Sequence, residues 1–201
     1  MVRVAGVASR LVRGTAIACG VAAVVGTGIG FAVGEPVQPE DILPARTLPT
    51  DLCAKVGDVS ELLPKASSRP VTLVQGGTSA VTCEASADGA KQGMFSNAVV
   101  KLTITPYGGK DAGAGQAPFT PAEVAKRTFD RTPLDTLPGR PYPTKISRSA
   151  RGVAGESWAV KVLVLRADIV VQVEYTANPI QVKTAEQAAL VLADRAIWEA
   201  K

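Results

Sequence analysis

The sequence predicts an α+β domain in which about three helices pack on a mostly antiparallel sheet of five or six strands, preceded by an N-terminal membrane helix. Three observations lead to this prediction. Several segments alternate apolar and polar residues with the strand period of two, two segments carry helix-capping motifs, and residues 14–34 contain no charge. The elements occur in the order helix, strands, helix, strands, helix, so helices are expected on one or both faces of the sheet.

Residues 14–34 are predicted to be a membrane segment. They follow three arginines within residues 1–13 and precede the acidic residues Glu35, Glu40 and Asp41. As a helix, these 21 residues would be roughly 30 Å long at about 1.5 Å each, which matches the hydrocarbon core of a bilayer. Because basic residues stay in the cytoplasm, the rest of the chain is expected to be exported.

Three fates of this segment are open. A retained single-pass anchor ranks first, because the apolar run is longer than the usual core of a signal peptide. Cleavage after the small-x-small sequence at 32–34 ranks second and would release a secreted protein. Lipidation of Cys19 ranks third, since residues 16–19 resemble a bacterial lipoprotein site but Ala16 stands where a leucine is expected.

A spacer is predicted between the membrane and the domain. Residues 35–50 contain four prolines and no usable periodicity, which is typical of an extended, semi-rigid linker. The chain therefore divides into a basic cytoplasmic segment at 1–13, a membrane segment at 14–34, a linker at 35–50 and an extracytoplasmic α+β domain at 51–201.

Export changes how the cysteines are interpreted. In an oxidising compartment Cys53 and Cys83 are expected to form a disulfide, and closing their loop is worth roughly 3 to 4 kcal/mol in the chain-entropy model. Two small buried thiols are the alternative. A metal site is not expected, because the chain has neither a His nor a Cys-x-x-Cys pair. Cys19 lies in the membrane segment and has no expected partner in the domain.

Six segments show the strand period. The clearest are 157–166 and 169–176, which a short turn near Ala167 and Asp168 joins into a hairpin. The other predicted strands, of which the last is the weakest, are at 71–75, 80–86, 98–105 and 145–150.

Three helices are predicted in the domain. The first begins near Leu52 and follows an apolar helical pattern until Pro64 stops it. The second is expected at about 121–130, because Thr-Pro-Ala-Glu at 120–123 supplies an N-cap, a proline at the first helical position and a glutamate at the third. Thr-Ala-Glu-Gln at 184–187 is interpreted as the same kind of capping motif, at the start of the terminal helix.

The order of these features resembles a known family. Asp-Leu-Cys at 51–53 opens a helix, Thr-Cys-Glu at 82–84 lies in a strand, and a further strand, a capped helix and a terminal hairpin with a helix follow. This pattern is similar to that of uncharacterised exported domains of high-GC Gram-positive bacteria, which are often lipoproteins. The resemblance implies a fold similar to the PsbP α/β sandwich and to the extracellular sensor domains of some bacterial kinases. The family has no assigned activity.

The composition excludes several classes of catalytic and metal site. Without any His, a Ser-His-Asp or Cys-His catalytic arrangement and a His-ligated zinc or haem site are impossible. The glycine-rich sequence at 108–115 lacks the spacing of a phosphate-binding loop and is predicted to be a mobile surface loop. Acidic residues are scattered singly, so no catalytic carboxylate pair is indicated. We therefore expect no catalytic residues, no metal and no cofactor.

The charge pattern does not indicate nucleic-acid binding. The net charge is +4, but residues 35–201 account for only +1 of it because the N-terminal arginines carry the rest. One proline-rich region is nevertheless basic and could contact anionic wall polymer, a lipid headgroup or an acidic partner. A rigid connection with solvated charges is the favoured interpretation of this region. Its basic residues are Arg131, Arg140, Lys145 and Arg148.

Three function hypotheses follow. The leading one is a noncatalytic domain, held on the outer face of the cell membrane by residues 14–34, that binds an envelope protein or small ligand in a sensory or accessory role. The second is a ligand carrier, which requires a closed apolar cavity between sheet and helices. The third is a histidine-independent hydrolase, for which a cleft with convergent polar groups would be needed.

Overall fold

The computed structural model describes residues 37–44, 46–57, 72–76, 80–87, 97–151 and 157–200. The predicted membrane segment at 14–34, with Cys19, lies outside these residues. The described residues of the unit that begins at Gln38 form a 3-10 turn at Pro39–Asp41 and three helices. The helices are α1 (Leu52–Val56), α2 (Pro121–Arg131) and α3 (Val182–Glu199). The strands are β1 (Thr72–Gly76), β2 (Val81–Ala87), β3 (Asn97–Pro106), β4 (Asp135–Thr136), β5 (Thr144–Arg151), β6 (Ser157–Arg166) and β7 (Ile169–Asn178).

All described strands belong to one sheet in the order β1-β2-β3-β7-β6-β5-β4, and every neighbouring pair is antiparallel. The predicted α+β class is confirmed, and each of the six predicted strands is present within one or two residues at either end. The two-residue strand β4 was not predicted. β3 and β7 are central partners although α2, β4, β5 and β6 come between them in the chain.

The two faces of the sheet differ. On one face α1 and α3 cover the main core, in which Leu102, Val173 and Val162 lie in one row across β3, β7 and β6. On the other face α2 covers only a small second cluster, where Phe129 packs on Leu163. Period-two alternation produces this division, because neighbouring residues of a strand point to opposite faces.

α1 is shorter than predicted. Asp51 caps it by accepting a hydrogen bond from the Ala54 N–H at 3.0 Å. The helix ends at Val56 because Gly57 adopts φ 81°, a left-handed conformation that stops helical propagation and favours glycine. The rest of the predicted helical pattern, which runs to Pro64, lies outside the described residues.

α2 begins with the predicted capping box. The Thr120 hydroxyl accepts from the Glu123 N–H, and the Glu123 carboxylate accepts from the Thr120 N–H at 2.8 Å. This backbone hydrogen bond lowers the pKa of Glu123. The corresponding prediction for α3 is wrong: the helix begins at Val182 after Gln181, so Thr184 lies inside the first turn, and Gln181 makes no side-chain capping hydrogen bond.

The predicted spacer lies partly on the domain. The Gly109 N–H donates to the Ile42 carbonyl at 2.7 Å, and Leu48 packs against the main core. Arg46 reaches Asp168 in the β6–β7 turn, with Nε 3.2 Å from Oδ1 and the backbone N–H donating to Oδ2. Asp168 is only 3% exposed, and a buried carboxylate needs such a partner. The compact unit that contains the sheet starts at Gln38 and so includes part of the predicted linker.

Substitution of Gly109 tests this attachment. A Cβ at Gly109 would lie 2.6 Å from the Ile42 Cβ and 2.9 Å from the Pro39 carbonyl oxygen, so Gly109→Ala should displace residues 38–44. We expect faster proteolysis and faster amide exchange in that segment, by about ten-fold. Ala114→Ser, at an exposed position of the same loop, is the control. Unchanged protection of residues 38–44 in Gly109→Ala would contradict the packing.

Candidate binding surface

A disulfide joins α1 to β2. Cys53 and Cys83 are bonded, with their Cα atoms 5.2 Å apart, as the sequence predicts. Both half-cystines are buried, at 8% and 3% exposure. Structural disulfides are typical of proteins in oxidising compartments, so the bond is consistent with an extracytoplasmic location. Within the part of the chain that the structure describes, no helix has both the length and the apolar character to cross a bilayer.

The four basic residues of the proline-rich region do not form one cluster. Arg131 is exposed at the end of α2. Lys145 is buried, at 9% exposure, and its Nζ donates to the carbonyls of Phe129, Asp130 and Thr132 at 2.9, 2.9 and 2.8 Å. These carbonyls belong to the end of α2, where helical partners are missing and a cation is favourable. Lys145 therefore fixes α2 to the sheet and is not accessible to a partner.

Arg140 and Arg148 bond instead to α3. The Arg140 guanidinium pairs with Asp194. Arg148 binds Glu186 with two parallel hydrogen bonds, from Nε and one terminal nitrogen, each 2.7 Å long. The hydrogen bond with Arg148 lowers the pKa of Glu186, and the same bond raises that of Arg148. Two of the four predicted contact residues thus hold the terminal helix against the sheet.

This pair implies a pH dependence of stability. A carboxyl group whose folded-state pKa is lowered stabilises the fold above its ordinary pKa of 4.5, and the contribution is lost as the pH falls through the folded value. At pH 7 we expect Glu186→Gln to lower the free energy of unfolding by about 0.5–1 kcal/mol, as for a partly exposed ion pair. Urea unfolding at a series of pH values from 7 to 3 measures the difference in free energy of unfolding between wild type and Glu186→Gln. This difference should become smaller below pH 4.5.

A double-mutant cycle provides the control for this prediction. Arg148→Gln should abolish most of the effect of Glu186→Gln, because each variant removes the same pair. If the difference between wild type and Glu186→Gln were independent of pH, the ion pair would not contribute in solution.

The uncovered part of the second sheet face is polar, and we call it the polar face. One row crosses five strands, and its charge alternates over the first four of them. Lys161 Nζ lies 3.1 Å from Glu174 Oε1 within it, and Gln172 donates to the same oxygen at 2.9 Å. The side chains of the row are Glu84, Lys101, Glu174, Lys161 and Ser147.

A depression of about 230 Å³ lies at the β5 side of the polar face. The short side chain of Ala159 forms its middle, between Ser149 on β5 and Thr176 on β7. Arg151 supplies a cationic donor, Lys161 is already paired with Glu174, and the hydroxyl groups supply neutral donors. The depression therefore suits a polar or anionic group. The lining residues are Ser147, Ser149, Arg151, Ala159, Val160, Lys161, Glu174 and Thr176.

Sequence reasoning did not select these residues. Apart from Arg151 and the buried Val160, they lie in the predicted strands 145–150, 157–166 and 169–176 at positions that face away from the main core, which are usually only a solvated face. Only the register, in which Lys161 lies opposite both Ser147 and Glu174, brings them together. The sequence does show charged residues such as Lys161 and Glu174 within apolar strands. Their proximity could be predicted only once the pairing of the strands was known.

The glycine-rich loop does not have the arrangement of a phosphate-binding loop. Lys110 and Phe119 form a backbone bridge that closes the loop at its base. The Arg127 guanidinium lies 3.6 Å from the centre of the Phe119 ring, and the Asp111 carboxylate accepts from the Gly113 N–H at 2.9 Å. Only the contact of Arg127 with Phe119 links the base of the loop to α2, whereas the other two lie within the loop. Among the described residues, no three His, Cys, Asp or Glu side chains are grouped so that they could hold a metal ion.

Comparison with protein family models and with curated proteins identified no match. The resemblance to exported domains of high-GC Gram-positive bacteria therefore stays a prediction.

Proposed function

We propose that the protein is a noncatalytic extracytoplasmic binding domain, tethered to the cell membrane by residues 14–34, that contacts an envelope protein through its polar face. The function is a sensory or accessory one. The observation that carries the proposal is the contrast between the two faces of one sheet: one is buried under α1 and α3, whereas the other keeps polar side chains exposed beyond α2.

The closed main core favours a binding module over a carrier. A carrier needs an apolar cavity between sheet and helix. At that place Leu102, Val173 and Leu192 are at most 1% exposed and pack against one another as part of one cluster. The depression on the polar face is lined by hydroxyl and charged groups, which suits polar contacts of a protein surface better than a lipid chain.

Photocrosslinking in cells tests the proposal. A crosslinking amino acid replaces the exposed Lys101 on the polar face, and the control variant carries it at the exposed Lys183 on α3. We expect a discrete protein adduct, identified by mass spectrometry, from position 101 and not from position 183. Recovery of lipid alone would support the carrier hypothesis instead. Equal adducts from both positions, or none from position 101, would overturn the proposed use of the polar face.

The intact mass of the membrane-extracted protein tests the tether. A full-length mass, in which Cys53 and Cys83 react with an alkylating reagent only after reduction, is expected for an anchored and exported domain. A mass that begins at Glu35 would mean a secreted protein. A lipid adduct on Cys19 would mean a lipoprotein.

A further inference from the structure

The outer edge of β5 is only partly paired. β4 covers Ile146 and Lys145, and β6 pairs with the whole of β5 on the other side. Beyond Ile146 no described strand continues the sheet, and residues 148–151 are exposed. We call residues 147–151 the β5 edge. A strand edge of this kind presents unpaired backbone groups on which another extended chain can form a ladder.

The hydrogen-bond pattern identifies which groups face outward. On the β6 side, the Leu165 N–H donates to the Pro143 carbonyl at 3.0 Å. On the β4 side, the Leu137 N–H donates to the carbonyl of the next residue, Thr144, at 2.9 Å. In an antiparallel ladder, successive residues bond to opposite neighbours. Alternation along β5 therefore directs the N–H and C=O groups of Arg148 and Ala150 away from β6. Those of Ser149 and Arg151 are used in the ladder with β6.

The charge of the β5 edge distinguishes between the chains that could pair with it. Within the described part of the chain, Arg151 is exposed and has no side-chain partner, whereas Arg148 is already bonded to Glu186. A second copy added edge to edge would bring two Arg151 side chains to the same short ladder, and like charges in such pairs are destabilising. A strand with acidic residues on the polar-face side would instead place carboxylates beside Arg151, at the rim of the depression.

We propose that the β5 edge accepts an extended acidic segment of a partner protein as an added strand. The segment bonds through its backbone to Arg148 and Ala150, and its acidic side chains lie on the polar-face side beside Arg151. This assignment rests on the proposed binding function and names the kind of segment that is bound.

Peptide titration of the full-length chain in detergent tests the assignment. The probes are two capped hexapeptides, Val-Glu repeated three times and Val-Lys repeated three times. We expect saturable binding of the glutamate peptide, with the amide NMR signals of residues 147–151 shifting most, and at least about ten-fold weaker binding of the lysine peptide. Backbone N-methylation of the glutamate peptide should abolish binding without any change to the protein.

Two variants locate the site. Ala150→Pro removes an N–H that points away from β6, a position at which an edge strand tolerates proline, and should weaken binding about ten-fold or more. Arg151→Glu should weaken it by a similar factor through charge reversal. Arg131→Glu makes the same charge change at another exposed site and should leave binding unchanged.

The assignment is overturned if the glutamate peptide fails to bind, if the lysine peptide binds equally, or if Arg151→Glu or the N-methylated peptide retains full affinity. Failure of this assignment can be distinguished from failure of the proposed function. If position 101 still captures an envelope protein in the Ala150→Pro variant, the polar face binds its partner without strand addition. If position 101 captures none in the unmodified background, the proposed function itself fails.

Discussion

Replacement of both domain cysteines, Cys53→Ala with Cys83→Ala, should lower the free energy of unfolding by about 3 kcal/mol. The bond closes a loop with a sequence separation of 30, and the unbridged chain gains that conformational freedom when it unfolds. The bond also joins α1 to β2, so the short helix loses its covalent attachment to the sheet. In thermal unfolding the expected decrease of Tm is about 6–12 °C for a domain of this size.

Cys19→Ala is the matched control, because it removes the third cysteine of the chain without touching the disulfide. Its thermal midpoint should equal that of wild type, both in the presence and in the absence of reductant. Wild type should become as unstable as the double variant after reduction. A double variant that unfolds at the same temperature as the oxidised wild type would show that the bond does not stabilise the domain.

Lys145→Met should lower the free energy of unfolding by about 3 kcal/mol. The substitution keeps an unbranched four-atom stem but removes the ammonium group that bonds to three carbonyls at the end of α2. Those oxygens then lose a charged donor at a site where Lys145 is almost fully buried, and the cation beside the Phe129 ring is lost as well. Urea unfolding followed by circular dichroism measures the change.

Lys126→Met on the same helix is the comparison for this variant. Lys126 forms an exposed ion pair with Asp130, and such pairs contribute little, so its loss should cost at most about 0.5 kcal/mol. Equal effects of the two substitutions would contradict the role of Lys145 as the residue that fixes α2 to the sheet.

Local signals predicted most of the secondary structure. The capping box at Thr120 and Glu123 placed the start of α2 correctly, since a cap depends on residues three positions apart. The same kind of motif at Thr184 failed because α3 already begins at Val182, so Thr184 lies inside its first turn. β4 was missed because two residues carry no periodicity.

The candidate site was harder to predict. The sequence places Lys145 and Arg148 in one basic region, but three positions along a strand put the two side chains on opposite faces. Lys145 then meets the end of α2, and Arg148 meets α3. Two cations that line the same depression, Arg151 and Lys161, come from different strands and are brought to it only through the pairing of β5 with β6.

The sequence by itself determined the types and approximate positions of six strands and α2, and the pairing of Cys53 with Cys83 was correctly expected from their placement. Only the tertiary structure decided that β3 pairs with β7, that residues from Gln38 onward pack on the domain, and that the β5 edge and the polar face are exposed. The physical reason is that periodicity and capping act within a few residues. Strand order and register depend instead on how distant apolar faces are buried together, and many orders are compatible with the same alternating pattern.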